Sequence, residues 1–154
     1  MNNKKPSIFD LADWFLAKSS MTPKKLQKIS YYGVAWGYAL LDERIVSDSR
    51  FEAWIHGPVS PLLYKKYEQF GWKEIPKINN YNNVFNPKET ELLESVWYTY
   101  GGKSANELEM LTHQDLPWQN ARKGYAFDEP CNNLIKVNDM KKYYRELYAE
   151  AQGE

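Results

Sequence analysis

A chain of 154 residues with twenty Lys/Arg and twenty Asp/Glu carries no formal net charge, which excludes a polyanion binder that works by bulk attraction and leaves enough chain for a core without metal or disulfide staples. The single cysteine, Cys131, excludes an internal disulfide; with a polar start and no long apolar run, it points to a cytoplasmic protein without a membrane span. Six Trp, twelve Tyr and six Phe make aromatics the main core material, and the surplus suits a protein interface.

In chain order, residues 1–6 read as a frayed start. Ser7 caps a first helix with Asp10 as reciprocal partner, and Ile8, Leu11, Ala12 and Phe15 share its inner face, with Trp14 at the edge. Thr22-Pro23 opens a second, central helix in which Leu26, Ile29, Gly33, Trp36 and Leu40 recur at helical spacing. Gly33 and Gly37 on that face predict close approach of neighbouring elements. Lys24, Lys25 and Lys28 fall on its early solvent side.

Residues 51–64, FEAWIHGPVSPLLY, combine an extended run, a tight turn and a helix start. Phe51, Ala53 and Ile55 point one way and Glu52, Trp54 and His56 the other. Gly57-Pro58 is expected to stop the strand, and Ser60-Pro61 to cap and open a helix that ends near Gly71. The Asn-rich stretch 73–86 reads as a loop pinned by Ile75, Ile78, Val84 and Phe85. Asn86-Pro87 with Glu89, and Ser104 with Glu107, are capping boxes for two further helices. A turn before Pro117 leads to a short helix containing Trp118, Ala121 and Arg122. Residues 134–137 read as a strand to pair with 51–55, and Asn138 as the cap of a last helix with Met140, Tyr143, Tyr144 and Leu147 inward. The expectation is one mainly α domain over 1–154, a compact bundle of six to seven short helices with a small two-stranded β element at 51–55 and 134–137.

Chemistry-bearing patterns are sparse. Two His and one Cys carry neither CxxC nor HExxH spacing, so no metal is expected. Cys131 with His113, or Ser60 with His56, lacks a nucleophile turn, and no glycine-rich phosphate loop is present; neither an enzyme nor a cofactor is expected. Lys24, Lys25, Lys28, Lys65 and Lys66 interleaved with tyrosines keep a nucleic-acid-binding regulator as an alternative.

Three separated stretches recur together: Leu26-Gln27-Lys28-Ile29 with Tyr31-Tyr32 and Ala35-Trp36; Phe51-Glu52-Ala53-Trp54 with Gly57-Pro58-Val59 and Tyr64; and Leu111-Thr112-His113 with Pro117-Trp118 and Ala121. Over about residues 7–123 the chain resembles the SocA-type antitoxins, or Panacea domain, of prophages and mobile elements. The position before Gly57, aromatic in that pattern, is His56 here. The resemblance implies a helical domain that neutralises a small protein toxin by direct contact, in some relatives by bringing it to a host protease, with no catalytic residues. On it, Tyr32, Trp36, Gly57, Pro58, Val59, Tyr64, Pro117 and Trp118 are expected to be framework. The partner face is expected at Glu52, Trp54, His56, Thr112, His113, Asp115 and Arg122, where polar groups and aromatics converge without an obvious structural need for all. A phage structural or host-takeover protein is a further alternative.

Overall fold

A computed structural model of the protein describes residues 5–153. The organising element is α2 (Pro23–Trp36), capped by the Thr22 hydroxyl with Pro23 at its first position. Around it pack α1 (Ile8–Leu16), α3 (Pro61–Tyr67), α4 (Pro87–Tyr100), α5 (Ala105–Gln114) and α7 (Val137–Gly153), while the short α6 (Leu116–Ala121) joins α5 to the rest. The chain is mainly α, with a single two-stranded antiparallel sheet among the described residues. The capping boxes at Ser7/Asp10, Asn86/Glu89 and Ser104/Glu107 all form.

Burial explains why α2 is central. Leu26, Ile29, Tyr31, Tyr32, Val34 and Ala35 are all almost fully buried, so this helix is apolar nearly all round, as a helix enclosed by others must be. At Gly33 an added Cβ would lie 3.3 Å from Leu93 and 3.4 Å from Phe15, so the missing side chain lets α1 and α4 close on α2; Gly37 likewise faces Ile45. Leu40, expected on the inner stripe, is exposed instead. The reason is local: α2 continues as a π turn, Gly37–Leu41, ending at Asp42 in left-handed conformation with φ 55°. The wider turn rotates everything after Trp36 out of the 3.6-residue register.

The β element differs in partner from the sequence expectation. Strands β1 (Glu52–Trp54) and β2 (Gly57–Val59) form a hairpin, with Trp54 opposite Gly57, Ala53 opposite Pro58 and Glu52 opposite Val59. Gly57-Pro58 therefore does not stop the strand but begins its partner. Proline is tolerated because Ala53 and Pro58 form the pair that exchanges no hydrogen bonds across the hairpin: the Ala53 amide and carbonyl both point outward, to Asn133 and Arg122. Residues 134–137 contribute only a one-residue bridge, Leu134 to Glu52, flanked by the bond from the Ile135 amide to the Phe51 carbonyl.

Smaller corrections have equally local causes. Pro6 is held by the Ser47 amide at 2.9 Å, so fraying does not reach it, and residues 1–4 of that expectation lie outside the described residues. In the 73–86 loop Ile75 pairs with Met21, and Ile78 bonds the Leu16 carbonyl, whereas Val84 is exposed. The last helix begins at Val137, which places Asn138 inside it rather than at its cap, and Leu147 is partly exposed.

Candidate functional site

The hairpin is held from three sides. From α2, the Gln27 side-chain amide accepts from the Ser60 amide at 2.8 Å and donates to the Ser60 carbonyl at 3.0 Å, and the Lys28 ammonium donates to the Pro58 carbonyl at 3.2 Å. From α6, the Trp118 indole donates to the Trp54 carbonyl at 2.9 Å. From the segment after α6, Arg122 donates to the Ala53 carbonyl at 2.8 Å. Gly57 has φ +111°, and a Cβ there would stand 2.7 Å from Lys28 Cε and 2.9 Å from the Thr112 hydroxyl, so its backbone rests directly on both helices. Both outer edges of the hairpin are thus closed by internal hydrogen bonds and by the proline ring, which rules out strand addition at this sheet. A partner would meet side chains here.

Those side chains are the outward set read from the sequence. Glu52 accepts from the Trp54 indole at 2.8 Å, Trp54 is half-buried against Tyr64, and the His56 side chain is 75% exposed at the turn. Trp54, His56 and Val59 are shared by two clefts. One, of about 510 Å³, lies between α2 and α3 and runs to Tyr64 and Trp72; the other, of about 610 Å³, runs to Tyr125 and Pro130. Trp72 is 85% exposed on the first rim, and Tyr64 and Tyr125 are also exposed.

The remaining expected contact residues serve the fold. Asp115 is buried, and its carboxylate accepts from the hydroxyls of Tyr32 at 2.9 Å, Tyr144 at 2.8 Å and Tyr143 at 3.0 Å. Burial pushes its carboxyl above the usual range against the pull of those three donors. Thr112 is fully buried and bonds back to the Glu109 carbonyl. Arg122 is buried and also donates to the carbonyls of Ala126, Phe127 and Glu129, while its guanidinium stacks over Trp118. It gathers the irregular 124–131 segment around one cation. Arg122→Ala is expected to remove about 2–3 kcal/mol of stability and to raise amide exchange over 124–131. Unchanged protection there would contradict this role.

His113 is mostly covered. Its ring stacks on Trp118 at 4.1 Å and meets Phe127 edge-on at 5.4 Å. Burial lowers its pKa, outweighing Glu109 and the Ile55 carbonyl, which favour the charged form. Of the residues expected to be framework, Tyr32 stacks on Tyr100 at 3.9 Å, the Trp36 indole bonds the Tyr100 hydroxyl at 3.0 Å, and Val59, Pro117 and Trp118 are buried, whereas Tyr64 is exposed.

The sequence reading missed Glu109. Its carboxylate joins Lys24 at 2.5 Å and His56 at 3.0 Å, with His113 Nε2 at 3.8 Å. Burial pushes its carboxyl up, but the bonds from Lys24 and His56 win and hold it below the usual range. The four-residue spacing to His113 was the available signal; the links to Lys24 and His56 are long-range. The lysines of α2 are likewise not a free cationic face. Lys28 is buried, Lys24 is paired, and Lys25 donates to the Gly101 carbonyl at 2.6 Å. Among the described residues no group of three or more His, Cys, Asp or Glu could hold a metal, and no helix is long and apolar enough to cross a membrane.

The fold and site define a helical domain built on a braced hairpin that presents side chains at two clefts. Residues 26–119 match the family model for the antitoxin SocA-like, Panacea domain, and the chain belongs to that family. No curated protein and no solved structure matches. The matched span takes in α2 from Leu26 onward, the hairpin and the start of α6, the elements that hold one another through Gln27, Lys28 and Trp118.

Proposed function

We propose that this chain is a non-catalytic antitoxin that neutralises a partner protein toxin by direct contact at the hairpin face, in a prophage or mobile-element setting, with delivery of the toxin to a host protease as one mode of action. The observation that carries this reading is the hairpin itself. Its backbone is satisfied internally, yet Trp54 and His56 project between two clefts rimmed by exposed aromatics, with Glu52 on the second of them. Aromatic side chains give large contact area at low ordering cost, and a rigid support lowers that cost further.

The test is co-expression with the adjacent open reading frames, scored by growth rescue and complex formation. The Trp54→Ala/His56→Ala variant keeps the hairpin backbone contacts and is expected to bind a rescued toxin at least about 30-fold more weakly, as befits loss of an interface anchor worth about 2 kcal/mol. A toxin half-life that shortens only when host proteases are intact identifies delivery; an unchanged half-life identifies sequestration. Absence of rescue for every neighbour, or full rescue by the double variant, sinks the reading.

A further inference from the structure

We propose that the cleft between α2 and α3 receives a segment of the partner protein in which an apolar or aromatic side chain is followed by a carboxylate. The side chain lies against Trp54, Tyr64 and Trp72, and the carboxylate turns toward Lys24 and Lys28 at the hairpin end. This rests on the toxin-binding reading above and adds the chemistry of the recognised segment.

The cleft, about 510 Å³, has the size and the mainly apolar lining of sites that enclose a ligand group with a few polar anchors. Trp72 and Tyr64 leave aromatic surface uncovered on its rim. Its ends differ in charge: Glu68 stands at the α3 end, and at the hairpin end the Lys28 ammonium stands without a counter-charge while Lys24 and His56 share Glu109. That asymmetry orients an incoming segment with its acid toward the hairpin.

Lys28 decides what the hairpin end wants. It is buried, and among the described residues its ammonium has no ion pair, only the 3.2 Å bond to a neutral carbonyl. An ammonium offers three donors, and a buried charge without a counter-charge is unfavourable. The groups facing it are Lys24 on its own helix, Glu109 and His113 on α5, and His56 at the turn. Glu109 is already committed to Lys24 and His56. Burial first, and then Lys24, lower the Lys28 pKa to about 7, against the attraction of Glu109. A carboxylate arriving at this end supplies the missing partner and favours the charged amine, so its binding draws in a proton near neutral pH. Because the hairpin edges accept no strand, discrimination falls on these side-chain contacts.

The probes are two capped dipeptides, acetyl-Phe-Asp-amide and acetyl-Phe-Asn-amide, titrated into the full chain and followed by the indole N–H signals of Trp54 and Trp72. The acidic peptide is expected to bind at least about 5-fold more tightly at pH 6.5, with the advantage shrinking by pH 8.5 as Lys28 loses its proton. Lys28→Met keeps the apolar stem and is expected to abolish the advantage, whereas Trp72→Ala, at an exposed position, weakens both peptides alike. Equal binding of the two peptides, an advantage that survives Lys28→Met, or no response at either indole overturns the inference. The co-expression result is independent. Toxin rescue without peptide discrimination removes only the cleft chemistry, and peptide discrimination without rescue removes the antitoxin reading instead.

Discussion

Asp115→Ala is expected to lower stability by about 3–5 kcal/mol. The carboxylate sits where α5 turns into α6 and accepts three tyrosine hydroxyls, one from α2 and two from α7. Tyr144 in turn shares a 3.1 Å bond with Tyr31. Removing the acceptor strands the buried Tyr32 hydroxyl and leaves Tyr144 only the bond it shares with Tyr31, each lost pairing worth about 1–3 kcal/mol, while Tyr143 is partly open and regains water. Asp115→Asn should be milder by about 2 kcal/mol, since the amide oxygen serves Tyr32 and Tyr144 and its NH₂ can donate to the Tyr143 hydroxyl.

The sign with pH is also fixed. The folded pKa of Asp115 lies above its unfolded value, so the folded state holds the proton more tightly, and this group's contribution falls as pH rises through the carboxylate range rather than on acidification. Urea unfolding of the three proteins at pH 7 is the measurement. A loss below about 1 kcal/mol for Asp115→Ala would falsify the tyrosine cage as the joint between α2, α6 and α7.

How much of this could be read without coordinates depended on the range of the interaction involved. Caps at Ser7, Thr22, Asn86 and Ser104 are instructions written within four residues, and each formed. Alternation held within β1, where Ala53 is buried between the partly exposed Glu52 and Trp54, while Ile55 and His56 belong to the turn, which leaves His56 exposed. Failures occurred where one residue answers to a distant one. Pro58 looked like a strand terminator because its missing donor was visible and the lack of any need for that donor was not; the need depends on which residue of β1 stands opposite. Lys28 looked solvated by its neighbours Lys24 and Lys25, and only the hairpin folding over α2 buries it. Asp115 and Arg122 looked like contact residues because polar side chains near aromatics resemble a binding face, and their acceptors and donors come from up to 83 residues away. The π turn after Trp36 moved Leu40 outward with no sequence signal beyond Gly37.

Lys28→Met is expected to change not only stability but the shape of its pH dependence. Lys28 is charged in the unfolded chain up to the ordinary lysine range, while in the folded protein burial and Lys24 bring its pKa to about 7. Below pH 7 both states carry the proton, and the full penalty of a buried ammonium is present. From pH 7 upward the unfolded chain binds the extra proton, so stability should rise with pH, by as much as about 5 kcal/mol if the whole window were traversed. Above about pH 10 the gain is cut off, because burial raises the pKa of Tyr31, Tyr32 and Tyr144 and the unfolded chain then ionises first.

The methionine variant lacks this term and loses only the bond to the Pro58 carbonyl, worth about 1–2 kcal/mol. It should therefore be the more stable protein at pH 6 by about 2 kcal/mol and lose that lead by pH 9. Urea unfolding of both proteins at pH 6, 7.5 and 9 checks this, and a difference that stays constant across the series sinks it. The expected direction bears on the site as well as the fold. A gain on Lys28→Met at pH 6 would mark the ammonium as a group kept at a cost to stability beneath the hairpin and at the floor of an aromatic cleft, where the proposed carboxylate would reach it.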